Sequence, residues 1–376
     1  MKKYDYIILG AGLSGLMMAT AMLEDDFFTG KKILLLDKDE KQKNDRTWCF
    51  WDTGTSRFLP LASRSWNKIY FGSPRFTSTI TLQSYAYYKI GSHDFYAWAF
   101  AKISQAQNMD FKKEAVKDFM DKGNHVEVKT EGGTYTAPKL MTSLLPKKRL
   151  EAQNRFPVLK QHFTGWEIHT SLPHFDKDIA TFMDFNVDQH GNTRFMYVLP
   201  TTAQQALVEY TLFSEKTLSA AAYEAAIKEY LAKRQIDDYK IIKKEHGVIP
   251  MTAYPFEKHN SKNIIHIGTA GGWTRGSTGY TFSYSAKLSL KLIEHLKSGK
   301  PMDAFNINSR FRWYDKLFIE VLYSDNGRGA DLFASMFMKN PIGQIFRFLD
   351  GESTLTEEIK IILSLPKTPF IKALFK

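Results

Sequence analysis

The sequence predicts an α/β fold: a Rossmann-like nucleotide-binding domain interleaved with an antiparallel-sheet substrate domain, plus a helical C-terminal region. Three observations carry this. The apolar run Tyr6 to Leu9 leads straight into Gly10-x-Gly12-x-x-Gly15 and then a helix-forming stretch over 16–23, the order a dinucleotide fingerprint requires. Residues 65–92 and 150–215 alternate apolar and polar between turn residues, the period of strands. Beyond Gly299 the pattern becomes helical, basic and aromatic. A chain of 376 residues is long enough to bury two intimately joined domains. The expected division is 1–64, 94–148 and 246–299 for the nucleotide domain, 65–93 and 149–245 for the substrate sheet, and 300–376 for a helical region available for membrane contact.

In the first element each glycine has its own task. Gly10 permits the tight turn, Gly12 lets the backbone approach a pyrophosphate, and Gly15 lets the helix pack closely on the strand. The helix N-terminus offers free N–H groups to the phosphates. A second apolar strand over 33–36 ends in Asp37, placed to accept a ribose hydroxyl. Gly10 to Asp37 exceeds the usual spacing of about 20 residues, which predicts an extended helix or loop over 24–32. The same stretch has a secretory reading: Lys2 and Lys3 precede eighteen uncharged residues ending at Leu23, and Ala19-Thr20-Ala21 mimics a cleavage site. Asp5 interrupts the basic region and three glycines weaken an apolar helix, so the expectation is a retained, folded N-terminus.

Hydrophobic content of 43% and charged content of 24% are ordinary for a globular protein. The 28 Phe and 18 Tyr are many; they fit an aromatic core, an apolar ligand or a lipid-facing surface. The formal charge of +11 points to an anionic surface. No zinc-finger spacing, recognition-helix signature or arginine-rich arm supports nucleic acid, and no metal site is predicted, so a membrane surface is the expected partner. The single Cys49 excludes an intrachain disulfide and fits a reducing compartment. No later segment is long and apolar enough to span a bilayer. The expected place is the cytoplasm, peripheral on the cytoplasmic face of the inner membrane.

After a charged loop at 38–43 comes Asn44-Asp45-Arg46-Thr47-Trp48-Cys49-Phe50-Trp51. It reads either as a loop tucked against the core or as a cofactor-covering loop, with Arg46 near phosphate and Trp48 and Trp51 lining a cavity. Asp94 can cap a helix running to Gln107. A hairpin follows at 126–129 and 135–137, turning at Gly132-Gly133. Strands are predicted over 162–170, 179–187, 194–199 and 207–213. In the last of these Leu207, Glu209, Thr211 and Phe213 share one face. Glu209 is then either a carboxylate among apolar neighbours or part of a polar face. Pattern alone favours water, since lone strand glutamates are mostly exposed. A helix over 219–233 precedes a strand ending in Glu245-His246-Gly247-Val248-Ile249-Pro250-Met251.

A second strand-to-glycine junction follows, from Asn263 through Gly268, Thr269 and Gly271 to Gly279 and Tyr280, then a helix over 282–296. In flavoproteins such a junction meets the ribityl chain and isoalloxazine ring. The two glycine junctions together favour FAD over NAD as the bound cofactor. The tail over 305–350 and the closing PKTPFIKALFK read either as a helical cap on the core or as an interfacial surface with Phe inserted and Lys at the headgroups.

The segments GAGLSG, LLLDKD, NDRTWCFW, FMYVLPTTAQQALVEYTLF, EHGVIPM and IGTAGGWTRGSTGYTF together resemble the lycopene cyclases of the bacterial and plant flavoprotein type, in the family's order, over about residues 4–290. LVEYT is similar to that family's motif with an essential first acid. The resemblance therefore implies Glu209 as the catalytic acid, with Tyr210 at the variable second-acid position and Glu245 as a further catalytic candidate. Thr269 stands where related hydroxylases carry Asp, a departure that argues against an ordinary hydroxylase. The implied reaction is non-redox: an acid protonates the end of an acyclic carotenoid such as lycopene, and the resulting cation closes to a β-ionone ring. Reduced FAD, maintained by NAD(P)H, is the implied cofactor, and other carotenoid-pathway enzymes are implied partners. The competing readings are an FAD-dependent monooxygenase or reductase acting on an isoprenoid or aromatic substrate, and a catalytically silent carotenoid-binding protein.

Overall fold

The computed structural model describes residues 2–307 and 309–375, so Lys376, the last lysine of the basic tail, lies outside the described residues. Short apolar runs pair as a five-stranded parallel sheet in the order Ile264–His266, Lys139–Thr142, Tyr6–Leu9, Ile33–Asp37, Met109–Lys113. Its side chains alternate. Tyr6, Ile8, Ile33 and Leu35 point to one layer, and Ile7, Leu9, Leu34 and Leu36 to the other. The first layer is helical: α1 (Leu13–Leu23) and α2 (Ser92–Gln105) meet the later helix Phe282–Lys297 there. The second is a small sheet of Lys2–Lys3, Val116–Asp121, Val126–Thr130 and Thr134–Ala137. A sheet buried on both sides needs continuous apolar runs, and the sequence supplies them.

Local differences from the sequence reading have local causes. The long connection over 24–32 contains a single 3₁₀ turn, Asp26–Phe28, capped by the Asp25 carboxylate accepting from Phe27 N–H. Gly91, not Asp94, is the N-cap of α2, and Asp94 sits in the first turn. Residues 44–46 are irregular, but the rest of the expected loop is not: Thr47–Asp52 is a strand pairing with Ala86–Gly91, which in turn pairs with Arg64–Trp66.

The large sheet has seven strands. In order they are Tyr239–Met251, Leu159–Thr170, Gln205–Ser214, Thr193–Pro200, Ile179–Asp184, Lys68–Gly72 and Thr77–Thr81. All neighbours are antiparallel except Lys68–Gly72 beside Ile179–Asp184. The short helix α3 (Lys147–Ala152) lies on the connection into it. Helix α4 (Ala220–Ala232), N-capped by the Ser219 hydroxyl, covers one face over Val208, Tyr210 and Leu212. After α5 (Phe282–Lys297) come α6 (Ser309–Ser324), α7 (Gly329–Lys339), α8 (Ile342–Leu349), α9 (Leu355–Ser364) and α10 (Lys367–Leu374). These pack an aromatic-rich core against the other face, on the side of Leu207 and Phe213. The solvent-facing reading of Glu209 fails because its face is interior: Leu207 and Phe213 pack under these helices, and Glu209 between them lines an internal cavity.

A buried ion pair fastens the helical region to the second glycine junction. The Arg275 guanidinium donates to both Asp315 oxygens of α6, at 3.1 and 2.8 Å, and the Ser277 hydroxyl adds a third bond at 2.6 Å. Both charged partners are nearly inaccessible, so each depends on the other for compensation. Among the described residues no helix is long and apolar enough to cross a membrane.

Candidate active site

The two glycine junctions and the large sheet enclose a cavity of about 450 Å³. At its nucleotide end Gly10 adopts φ +95°, and a Cβ at Gly15 would lie 1.8 Å from the Gly10 carbonyl oxygen. Neither glycine lines the cavity; they set the turn that brings Gly12 to it. Above Gly12 there is open space. No side chain caps α1, so its first amides, at Gly12, Leu13 and Ser14, face the cavity as unclaimed donors. Asp37 also stands back from the cavity: its Oδ2 accepts from Ala11 N–H at 2.6 Å and its Oδ1 from Asp39 N–H at 2.8 Å. Arg46 and Lys41 supply positive charge to the lining. Arg46 is held by bonds from Nη1 to the Asp45 and His246 carbonyls.

From the second junction Gly268, Thr269, Gly279 and Tyr280 line the cavity. Gly271 does not: a Cβ there would lie 2.0 Å from the His266 carbonyl oxygen, so its role is close packing. Gly268 and Gly279 have φ of +62° and +72°, conformations that disfavour a side chain. Deep in the lining, Gln161 Oε1 is buried without a hydrogen-bond partner among the described residues, while the buried Tyr280 hydroxyl interacts with that of Tyr197. Orphaned groups of this kind cost free energy unless a ligand satisfies them. Of the two tryptophans expected here, Trp48 lines the cavity. Trp51 points away, stacked on Phe346 at 4.4 Å with its Nε1 donating to Asp350.

The other end is acidic. In the large sheet Gly165 pairs directly with Glu209 on one side and Glu245 on the other. Three residues in one cross-strand row point to the same face, and because the middle one has no side chain the two carboxylates confront each other across it. The Thr211 hydroxyl donates to Glu209 Oε1 at 2.8 Å. Glu245 accepts from the Thr47 hydroxyl at 2.8 Å, with the Lys243 ammonium 3.5 Å away. Burial, followed by the negative charge of Glu245, pushes the Glu209 carboxyl up to about 8. A carboxylic acid that keeps its proton at neutral pH is a potential general acid. Tyr197 faces Glu209 across the next strand pair, and Phe163, Leu199 and Leu207 complete a largely hydrocarbon wall.

Gly165, Thr211, Lys243, Gln161 and Tyr197 were not legible as site residues in the sequence. Gly165 alone carried a usable signal, since an isolated glycine in a strand marks a close approach.

Comparisons with known proteins agree over the whole length. A family model described as lycopene cyclase protein matches residues 5–375. The chain is 24% identical to the lycopene beta-cyclase of Paracoccus sp. (strain N81106 / MBIC 01143), covering 97% of this chain and 95% of that protein. It is 24% identical to the lycopene beta-cyclase of Pantoea ananas, covering 99% and 97%. Among solved structures it resembles a geranylgeranyl bacteriochlorophyll reductase-like protein from Thermoplasma acidophilum, with a TM-score of 0.66 and 12% identity over 100% of this chain and 99% of that one. It also resembles the flavin-dependent brominase Bmp2, with a TM-score of 0.59 and 15% identity over 100% and 98%. With the family model matching nearly every residue, the chain belongs to the lycopene cyclase family.

Proposed function

We propose that this protein is an FAD-dependent, non-redox lycopene beta-cyclase that converts the acyclic ends of lycopene to β-ionone rings, giving γ- and then β-carotene. The observation that carries this is Glu209, whose carboxyl is pushed up to about 8 by burial and the Glu245 charge, beside Phe163, Tyr197, Leu199 and Leu207 at one end of a nucleotide-compatible cavity. FAD fits the residues present: uncapped amides and open space at Gly12 for the pyrophosphate, Arg46 at the mouth, and Gly268, Gly279, Gln161 and Tyr280 for the ring system. When bound in its reduced form, kept so by NAD(P)H, it supplies negative charge beside a developing cation.

The chain's own residues do the rest. Glu209 donates its proton to the terminal double bond, and the carbocation so formed is attacked by the neighbouring alkene, closing a six-membered ring. Loss of a ring proton to a carboxylate, for which Glu245 is the second candidate at the same end of the cavity, leaves the product isomeric with the substrate. The hydrocarbon wall excludes water that would trap the cation as an alcohol. Each aromatic face, Tyr197 and Phe163 among them, stabilises the cation by about 1–2 kcal/mol when desolvated. Expression in lycopene-accumulating bacterial cells tests the reading: cyclic pigment of unchanged mass supports it. A product heavier by oxygen or hydrogen would indicate a redox flavoenzyme instead, and unchanged lycopene beside FAD-loaded protein a silent binder.

Gly165→Ala is expected to lower cyclisation by about tenfold without loss of FAD. The added Cβ would lie 3.2 Å from Glu245 Cγ and 3.4 Å from Glu209 Cβ, spreading the pair. Steady-state rates together with flavin absorbance check this.

So insoluble a substrate must be drawn from a bilayer, and we place the protein on the cytoplasmic face of the inner membrane. In support, α9 and α10 expose Leu355, Ile359, Leu363, Ile371 and Leu374 beside Lys360, Lys367 and Lys372, which have no ion-pair partner among the described residues. Co-flotation with anionic vesicles is expected, weakening as salt rises. Failure to float at low salt would contradict the placement.

A further inference from the structure

A second cavity of about 390 Å³ lies among the C-terminal helices. Trp313 and Phe318 of α6, Met336 of α7, Ile361 of α9 and Phe370 of α10 make it almost entirely hydrocarbon. It adjoins the acid cavity through one wall: Ser277 and Thr278 face the outer groove, and the next two residues, Gly279 and Tyr280, face the inner cavity. A gap of about 10 Å³ bridges the two, sharing Cys49, Tyr280 and Phe282 with the inner cavity and Leu349 with the groove. The same gap, whose own lining includes Asp350 and the Asp315-paired Arg275, also touches a third cavity of about 360 Å³, and that one adds Asp52, Arg57 and Lys287, further charges a hydrocarbon chain cannot satisfy.

The inner cavity is of a size that suits one compact ligand, and on the cyclase reading it must admit the flavin ring as well as the reacting end group. A long polyene therefore has most of its length to place elsewhere. We infer that the groove between α6, α7, α9 and α10 holds the distal length of the extended polyene while one end is presented to Glu209, the chain passing between Tyr280 and Leu349. This inference rests on the cyclase reading. The gap as it stands is narrower than a hydrocarbon chain, so passage requires Leu349 or Tyr280 to change rotamer. The open side of the groove is edged by Ile362, Ile371 and Leu374, each about half exposed. It thus faces the same surface proposed to meet the bilayer, which gives the polyene a path from lipid to acid without crossing water.

The test uses FAD-loaded protein in detergent micelles, with a long acyclic polyene and a short acyclic isoprenoid bearing the same end group. Ile362→Glu and Ile371→Glu place a charge on the groove; Ile242→Glu places one at an exposed position of the sheet strand Tyr239–Met251, outside the groove and outside α9 and α10. The two groove variants should raise KM for the long polyene by about tenfold or more and leave the short substrate within about twofold, with Ile242→Glu changing neither. Binding gives a readout independent of turnover: the polyene should quench tryptophan fluorescence saturably, with a component lost in Trp313→Phe. An unchanged KM for the long polyene in both groove variants, equal losses on both substrates, or quenching indifferent to Trp313→Phe would overturn the inference. Turnover of neither substrate by the unmodified protein would instead bring down the cyclase reading and this inference with it.

Discussion

Glu209→Gln is expected to lower cyclisation by about 10³–10⁴-fold, the upper range for losing a positioned general acid, while FAD content and fold are retained. Glutamine preserves volume and can still accept from the Thr211 hydroxyl, but it has no proton to give. A stability measurement provides a second readout with a definite sign. The folded-state carboxyl titrates at about 8, above its unfolded value, so the native state holds a proton that the unfolded chain releases at lower pH. Native stability therefore declines as pH rises from the unfolded value through about 8. Glu209→Gln removes that decline. The variant should melt at least about 2 °C above the parent at pH 8 and no higher than the parent at pH 4. An inactive variant that is also destabilised at pH 8 would point to a structural role for Glu209 instead.

Glu245→Gln is expected to move the alkaline limb of the activity profile down by about 1–2 pH units. Active enzyme is the form with Glu209 protonated, and activity falls as pH rises through about 8. The negative charge of Glu245 is the second cause of that high value, after burial. Removing it makes the Glu209 proton easier to lose, so the variant should be about 5- to 50-fold slower near pH 8 and recover much of its rate near pH 6. Rate profiles of parent and variant over pH 5 to 9 check this. A uniform loss at every pH would assign Glu245 to ring deprotonation alone, without influence on the acid.

The nucleotide end of the site was legible in sequence because its constraints are steric and local. Gly10 and Gly15 each answer to an atom nearby in the fold and Gly12 to the open space above it, and the strands around them are apolar runs buried on both faces. Met109–Lys113, the outer strand of that sheet, escaped notice because three of the five residues in its MDFKK sequence are charged. The acid end was legible only through the family motif. Glu209 lies on a strand covered on both faces, where alternation cannot tell inside from outside. What makes its face interior is distant in the chain: α7 and α8 pack on the side of Leu207 and Phe213, and around Glu209 itself Thr47, Glu245 and the second glycine junction close the cavity. Its pairing with Glu245 through Gly165 is a matter of register across three strands, a non-local property that no window of sequence contains. Trp51 failed in the opposite way: adjacency to Arg46 and Trp48 suggested a cavity wall, but strand alternation, once Thr47–Asp52 is recognised as a strand, sends it to the Phe346 side.

The measurement that bears most directly on the central claim is cyclisation of lycopene in D₂O by the FAD-loaded protein, followed by mass spectrometry of the product. If Glu209 delivers an exchangeable proton to the polyene and a carbon-bound ring hydrogen is then lost, each ring formed gains one deuterium at a carbon. β-Carotene should accordingly be about 2 Da heavier than the same product made in H₂O, and γ-carotene about 1 Da heavier, by the balance of one proton added and one removed per ring. Cyclic product with no deuterium would contradict proton transfer from the carboxylic acid.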